Sequence, residues 1–216
     1  TSSLTGDNAH LDINFSFNFN YLGQVYNQLR INTNGWVSLN KSGGDATSMH
    51  NLNLFLTDAP TTVLAPWWDN LKADGSTMIS YVSSRDKLTV EWKNILAYST
   101  SATARLNFQL ILYQGSNIIE FHYGTVTSGT HNAAESASIG IKDVTGGMGH
   151  FVDATSGTMN NITTCLASPT GWPSANYRFT PITSGASEEV FHKITLSKTS
   201  GKLNIGKNVR ITGISE

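Results

Sequence analysis

The chain has 216 residues, 39% of them hydrophobic and 10% aromatic, enough to build one large β domain or one domain with a small appendage. Only 13% of the residues are charged, about half the usual share, and the formal net charge is -1. No basic run offers a nucleic-acid footprint, and no stretch of about 18 apolar residues could span a membrane as a helix.

The one cysteine, Cys165, excludes an internal disulfide framework. No signal peptide opens the sequence, so a secreted form is expected to start after its removal or to be excised from something longer. With so few charges, the polar surface must come from Ser, Thr, Asn, Gln and Gly, as on many extracellular β proteins.

The first strong element is the run from Ile13 to Tyr21. Ile13, Phe15, Phe17, Phe19 and Tyr21 alternate with Asn and Ser. Period two means a strand with one face buried. Leu29 to Thr33 and Trp36 to Leu39 follow, separated by Asn34-Gly35. That dipeptide tolerates positive φ at both positions and predicts a two-residue hairpin. Residues 40–62 read as a long loop, with a short strand or turn at Leu52 to Leu56. Val63 to Leu71 then enters the core and leaves it at Asp74-Gly75.

A second hairpin pairs Met78–Val82 with Leu88–Trp92. A third pairs Leu106–Tyr113 with Ile118–Tyr123 across Gln114-Gly115-Ser116-Asn117. Ala137 to Ile141 is another strand, and weaker ones lie near Phe151 and at Asn176 to Phe179. No window has period 3.6, so little or no helix is expected. Many short strands joined by turns predict an all-β, antiparallel, jelly-roll-like β-sandwich. Its core should hold Phe15, Phe17, Phe19, Trp36, Trp92, Phe108, Leu110, Leu112, Phe121 and Ile139.

The sandwich domain is expected over residues 1–181 and a linker over 182–189. A short C-terminal β appendage follows at 190–216. This Lys-rich tail alternates like strands but is too small for its own core. It would pack on the sandwich, complete a neighbouring subunit or begin a further domain. The polar stretch Thr1 to Asp12 reads as a second strand free for donation to a copy of itself.

The blocks Phe15 to Gly23, Ile31 to Ser38, Leu64-Ala65-Pro66-Trp67-Trp68-Asp69-Asn70-Leu71, Leu88 to Asn94, Leu106 to Tyr113, Ile118 to Gly124 and Ala137 to Gly140 come in a recognisable order and spacing. In this they resemble the nidogen-like extracellular domain and its relatives in bacterial secreted surface proteins. Those relatives often stand beside protease, adhesin or fibronectin-type modules. The resemblance implies a β-sandwich and a secreted or cell-surface adhesive or structural role, and it carries no shared active site.

The residues that could carry chemistry are few. Trp67, Trp68, Asp69 and Asn70 are the ligand-binding candidates. Adjacent strand residues face opposite ways, so one indole could lie outward and stack on a sugar beside Asp69 or Asn70. The other reading is a core strand ending in a turn. Asp69, Asn70, Asp74 and Asp58 are oxygen donors near loops, with Asp69 and Asp74 the foremost candidates for a structural calcium, but without regular ligand spacing.

The histidines at 10, 50, 122, 131, 150 and 192 lack metal-ligand spacing. No Gly-x-Ser-x-Gly elbow occurs. Glu91 and Glu120, with Glu135, are the carboxylates from which a glycosidase pair would have to come. Gly146 to Gly149 is a loop without a phosphate-binding helix after it, and Cys165 has no base nearby to activate it.

The expectation is a non-enzymatic module without cofactors. Its partners would be other extracellular proteins, copies of itself or glycans. A carbohydrate-binding module and an accessory domain of a secreted protease are the alternatives.

Overall fold

The structure is a computed structural model that describes residues 4–41, 60–98, 103–127, 129, 137–144, 151–154, 172–181, 193–196 and 204–205. Its strands are β1 (Gly6–Asp7), β2 (His10–Tyr21), β3 (Gln24–Asn32), β4 (Val37–Ser38), β5 (Val63–Trp68), β6 (Leu71–Ala73), β7 (Met78–Ser83) and β8 (Lys87–Ala97). They continue with β9 (Arg105–Tyr113), β10 (Ile119–Tyr123), β11 (Ser138–Lys142), β12 (Phe151–Asp153), β13 (Tyr177–Thr180), β14 (Lys193–Leu196) and β15 (Asn204–Ile205). Among the described residues there is no helix.

The strands form two antiparallel sheets. The first has the order β1-β6-β8-β9-β10-β13-β14, with β7 also paired to β8; the second has the order β15-β12-β11-β5-β4-β3-β2. This is the all-β sandwich that the hairpin pattern predicts. The second and third hairpins form as read, with Ser80 opposite Glu91 and Phe121 opposite Leu110.

One core fills the space between the sheets. Ile13, Phe15, Phe17, Phe19 and Tyr21 enter it from β2, while Trp92, Phe108, Leu110, Leu112 and Phe121 enter it from β8, β9 and β10. Trp36 and Ile139 are buried as well. Removing one such ring to Ala costs about 3–5 kcal/mol, because the lost transfer energy and the cavity add. Trp92 does more than fill space. Its Nε1 donates to the Asn32 carbonyl across the sandwich at 2.9 Å.

The turn after β3 differs from the expectation. Asn32 N–H donates to the Trp36 carbonyl, which leaves Thr33, Asn34 and Gly35 as a three-residue loop. Only Gly35 has positive φ, at 78°. This is a turn closed by a left-handed glycine, and the two-residue form is excluded. It is also interior: Asn32, Thr33 and Asn34 are fully buried.

The N-terminal stretch is not spare. Gly6 and Asp7 pair with Ala73 and Lys72, and His10 to Asp12 pair with Asn32 to Arg30. In the tail, β14 pairs with β13 and β15 with β12 of the same chain. Leu52 to Leu56, Asp58, Glu135, Gly146 to Gly149, Cys165 and the histidines at 50, 131, 150 and 192 lie outside the described residues.

Candidate functional site

The sequence singles out the segment from Trp67 to Asn70, where the chain leaves β5 in the second sheet and enters β6 in the first. Trp67 and Trp68 face opposite ways, as period two demands. Trp67 joins the main core and Trp68 a second apolar cluster with Trp36, Val63, Ala65 and Phe151. Both indoles are fully buried, so the outward face that a sugar would need is covered. Trp68 instead packs on Trp36, with ring centroids 5.2 Å apart.

The polar pair is absorbed into main-chain bonding. Asp69 N–H donates to the Asn34 carbonyl, and the Asn34 side-chain oxygen accepts from Leu71 N–H at 3.0 Å. Asn70 Nδ2 donates to the Tyr98 carbonyl at 3.3 Å. The geometry is that of a corner between sheets.

Asp74 does not stand free for a cation. Arg105 on β9 donates to both of its oxygens, at 2.8 and 2.6 Å. These bonds, with those from Ser76 and Thr77, hold its carboxyl at a pKa of about 2. Among the described residues, no group of three or more His, Cys, Asp or Glu side chains is placed to hold a metal ion.

The outer face of the first sheet offers a different arrangement. Register places Ser80, Glu91, Gln109 and His122 in one row across β7, β8, β9 and β10. The next row holds Thr89, Ile111, Glu120 and Arg178. So Glu91 and Glu120 do share one sheet face, with β9 between them. Two strand spacings and two residues of rise put their Cα atoms about 12 Å apart.

Glu120 is saturated. Its Oε2 accepts from the Tyr113 hydroxyl and lies 2.9 Å from His122 Nε2, while its Oε1 accepts from Arg178 at 2.6 Å. Burial pushes this carboxyl up, but the bonds from His122 and Tyr113 and the neighbouring positive charge outweigh burial, so its pKa lies below the ordinary value. An ionised carboxylate only accepts, which puts the shared proton on His122 Nε2. The phenol of Tyr113 is pushed up by burial and by its bond to Glu120.

Beside this cluster lies an open depression of about 220 Å³, lined by Glu91, Asn107, Gln109, His122, Tyr123, Gly124 and Asn176, with Phe108. Gly124 leaves it room, since a side chain there would abut Asn107. Trp172 braces the glycine by donating from Nε1 to its carbonyl at 2.9 Å. Sequence reading reaches Glu91, Glu120 and His122 but misses Gln109, Asn107, Gly124 and Asn176. Their signal is the polar half of the alternation in Leu106–Tyr113 and Ile118–Tyr123, and it becomes a site only once register is known.

The sequence profile of the family described as NIDO related matches residues 1–184. The chain belongs to the NIDO-related family. No curated protein and no solved structure matches it. A NIDO-related chain is a β module of structural type, and the family points to an extracellular setting.

Proposed function

We propose that this NIDO-related chain is a non-enzymatic structural or adhesive module of a cell-surface protein or surface assembly. Family membership over residues 1–184 carries the reading. The state of Glu120 supports the non-enzymatic part. A glycosidase pair needs one carboxylic acid that keeps its proton near neutrality. Glu120 is held ionised by three side chains, and Glu91 stands two strands away from it. The sparse charge and the Ser, Thr and Asn surface support a secreted setting.

Surface labelling tests this. An antibody against the chain is expected to stain intact source cells or their extracellular matrix. Staining only after permeabilisation overturns the proposal.

One observation favours assembly as the form this role takes. The edge of β13 accepts the four-residue strand β14 in an antiparallel ladder. The tail of a second copy would make the same main-chain bonds, joining subunits head to tail. Light scattering on the full chain decides: growth with concentration supports strand exchange, and a monomer at every concentration excludes it.

A further inference from the structure

The depression on the outer face of the first sheet is defined by what its side chains leave unused. Gln109 Nε2 donates to Glu91 Oε1 at 2.9 Å, which fixes the carboxylate and leaves Glu91 Oε2 and Gln109 Oε1 as acceptors. His122 Nε2 is committed to Glu120, which leaves Nδ1 as the ring nitrogen open to a ligand. Asn176 Oδ1 accepts from Tyr123 N–H, and its Nδ2 remains a donor. Asn107 is consumed: its Oδ1 accepts from Asn94 N–H and its Nδ2 donates to the Thr125 carbonyl. Asn107 therefore forms wall, while Glu91 and Gln109 offer an acceptor each, His122 a ring nitrogen and Asn176 a donor.

That set selects a ligand class. An anion meets the Glu91 carboxylate and no lysine or arginine in the lining. Among the described residues, no third His, Cys, Asp or Glu joins Glu91 and His122 to hold a metal ion. An ammonium satisfies the acceptors but leaves the Asn176 amide without one. Hydroxyl groups both donate and accept, so a ring carrying several of them answers every open atom at once. The volume, about 220 Å³, is below that of sites for drug-sized ligands, which run at roughly 300–1,000 Å³, and suits a single small ring. We infer that the Glu91–Gln109–His122–Asn176 depression binds one hydroxyl-rich unit of a neutral polysaccharide.

The inference deepens the adhesive reading and rests on it for its setting, but its test is separate from the test of cell-surface location. The full chain is run through native gels containing soluble β-glucan, mannan, galactan or dextran sulfate. At least one neutral polysaccharide is expected to retard it, with Glu91→Ala and Asn176→Ala each weakening retention about tenfold. Both variants are to keep the parental near-UV spectrum. Because both residues lie on the polar outer face, a variant that failed to fold would be replaced by Gly124→Ser, which fills the depression and is expected to abolish retention.

Retardation by dextran sulfate alone overturns the inference, as does displacement by free lysine in place of sugar. So does retention that all three substitutions leave unchanged, or the absence of retention by every neutral polysaccharide. A chain that stains at the cell surface yet ignores these polysaccharides would keep the module role and lose the glycan site.

Discussion

Two polar-aromatic regions of this molecule look alike in sequence and differ in what surrounds them. The corner from Trp67 to Leu71 packs its aromatic rings away and gives its amides to main-chain groups. The outer face around Glu91 and His122 keeps its polar atoms on the surface and pairs them only in part. The difference teaches that a tryptophan beside Asp and Asn signals a site only if one face of the strand stays open. Here both faces of β5 are covered, so the same residues become architecture.

The largest effect is expected at Gly35. A Cβ built there would lie 1.9 Å from the Trp67 carbonyl oxygen, and the backbone has φ of 78°. Backbone cannot yield as a side-chain tip can, so the Gly35→Ala change combines left-handed strain with overpacking. It is expected to cost about 2–5 kcal/mol in chemical denaturation. An unchanged midpoint would mean that the corner is not seated on this turn.

Asn34→Ala comes next. It strips the buried acceptor from Leu71 N–H and the donor to Asn8. An unmet buried group costs about 1–3 kcal/mol, to be read from the same denaturation curves.

Asp74 is intermediate, being partly exposed yet clasped by Arg105. Its pKa falls from an ordinary 3.8 to about 2 through the Arg105 bonds. A depressed carboxyl contributes stability that is complete above its unfolded pKa and disappears as pH falls through the folded one. Wild-type stability should therefore drop between about pH 4 and pH 2, and Asp74→Asn should flatten that limb. At neutral pH the same variant is expected to lose only about 0.5–1 kcal/mol, as partly solvated pairs do.

The smallest effect is expected on the open face. Glu91→Gln should move stability by no more than about 0.5 kcal/mol, while weakening any retention by polysaccharide. If Glu91→Gln destabilised the fold as much as Asn34→Ala, the two regions would not differ in kind.

Much of the fold is legible because burial writes a period. The alternation from Ile13 to Tyr21 gives the β2 side facing the core residue by residue, and the hairpins follow from their turn chemistry. The buried turn at Thr33-Asn34-Gly35 is less so. Asn-Gly announces a reversal, but nothing local says that Leu71 will need the Asn34 side chain. The tryptophan corner leaves two readings open in sequence for a related reason, since the second apolar cluster that covers Trp68 is assembled from β5, β12 and residue 36. The depression stands at the other extreme. It joins residues 91, 107, 109, 122, 124 and 176, and only strand register brings them together. Single side chains such as Glu91 can be suspected, but their neighbours cannot be found by reading along the chain.

Hydrogen bonds that tie β2 to the opposite sheet bear on how the protein behaves in crowded solution. β2 is an edge strand of 12 residues with aromatic alternation, the profile of a segment that templates ordered aggregates. It breaks register with β3 between Asn14 and Phe19. Within that break, Ser16 N–H donates to the Ser83 hydroxyl and Ser16 Oγ to the Ser84 carbonyl, and just past it Asn20 N–H donates to the Asn117 side chain. Two amides that could have recruited a foreign strand are occupied by the opposite sheet. Concentrated samples of the folded chain should therefore resist fibril growth from β2, and Ser83→Ala, which removes the acceptor of the Ser16 amide, would expose that liability first.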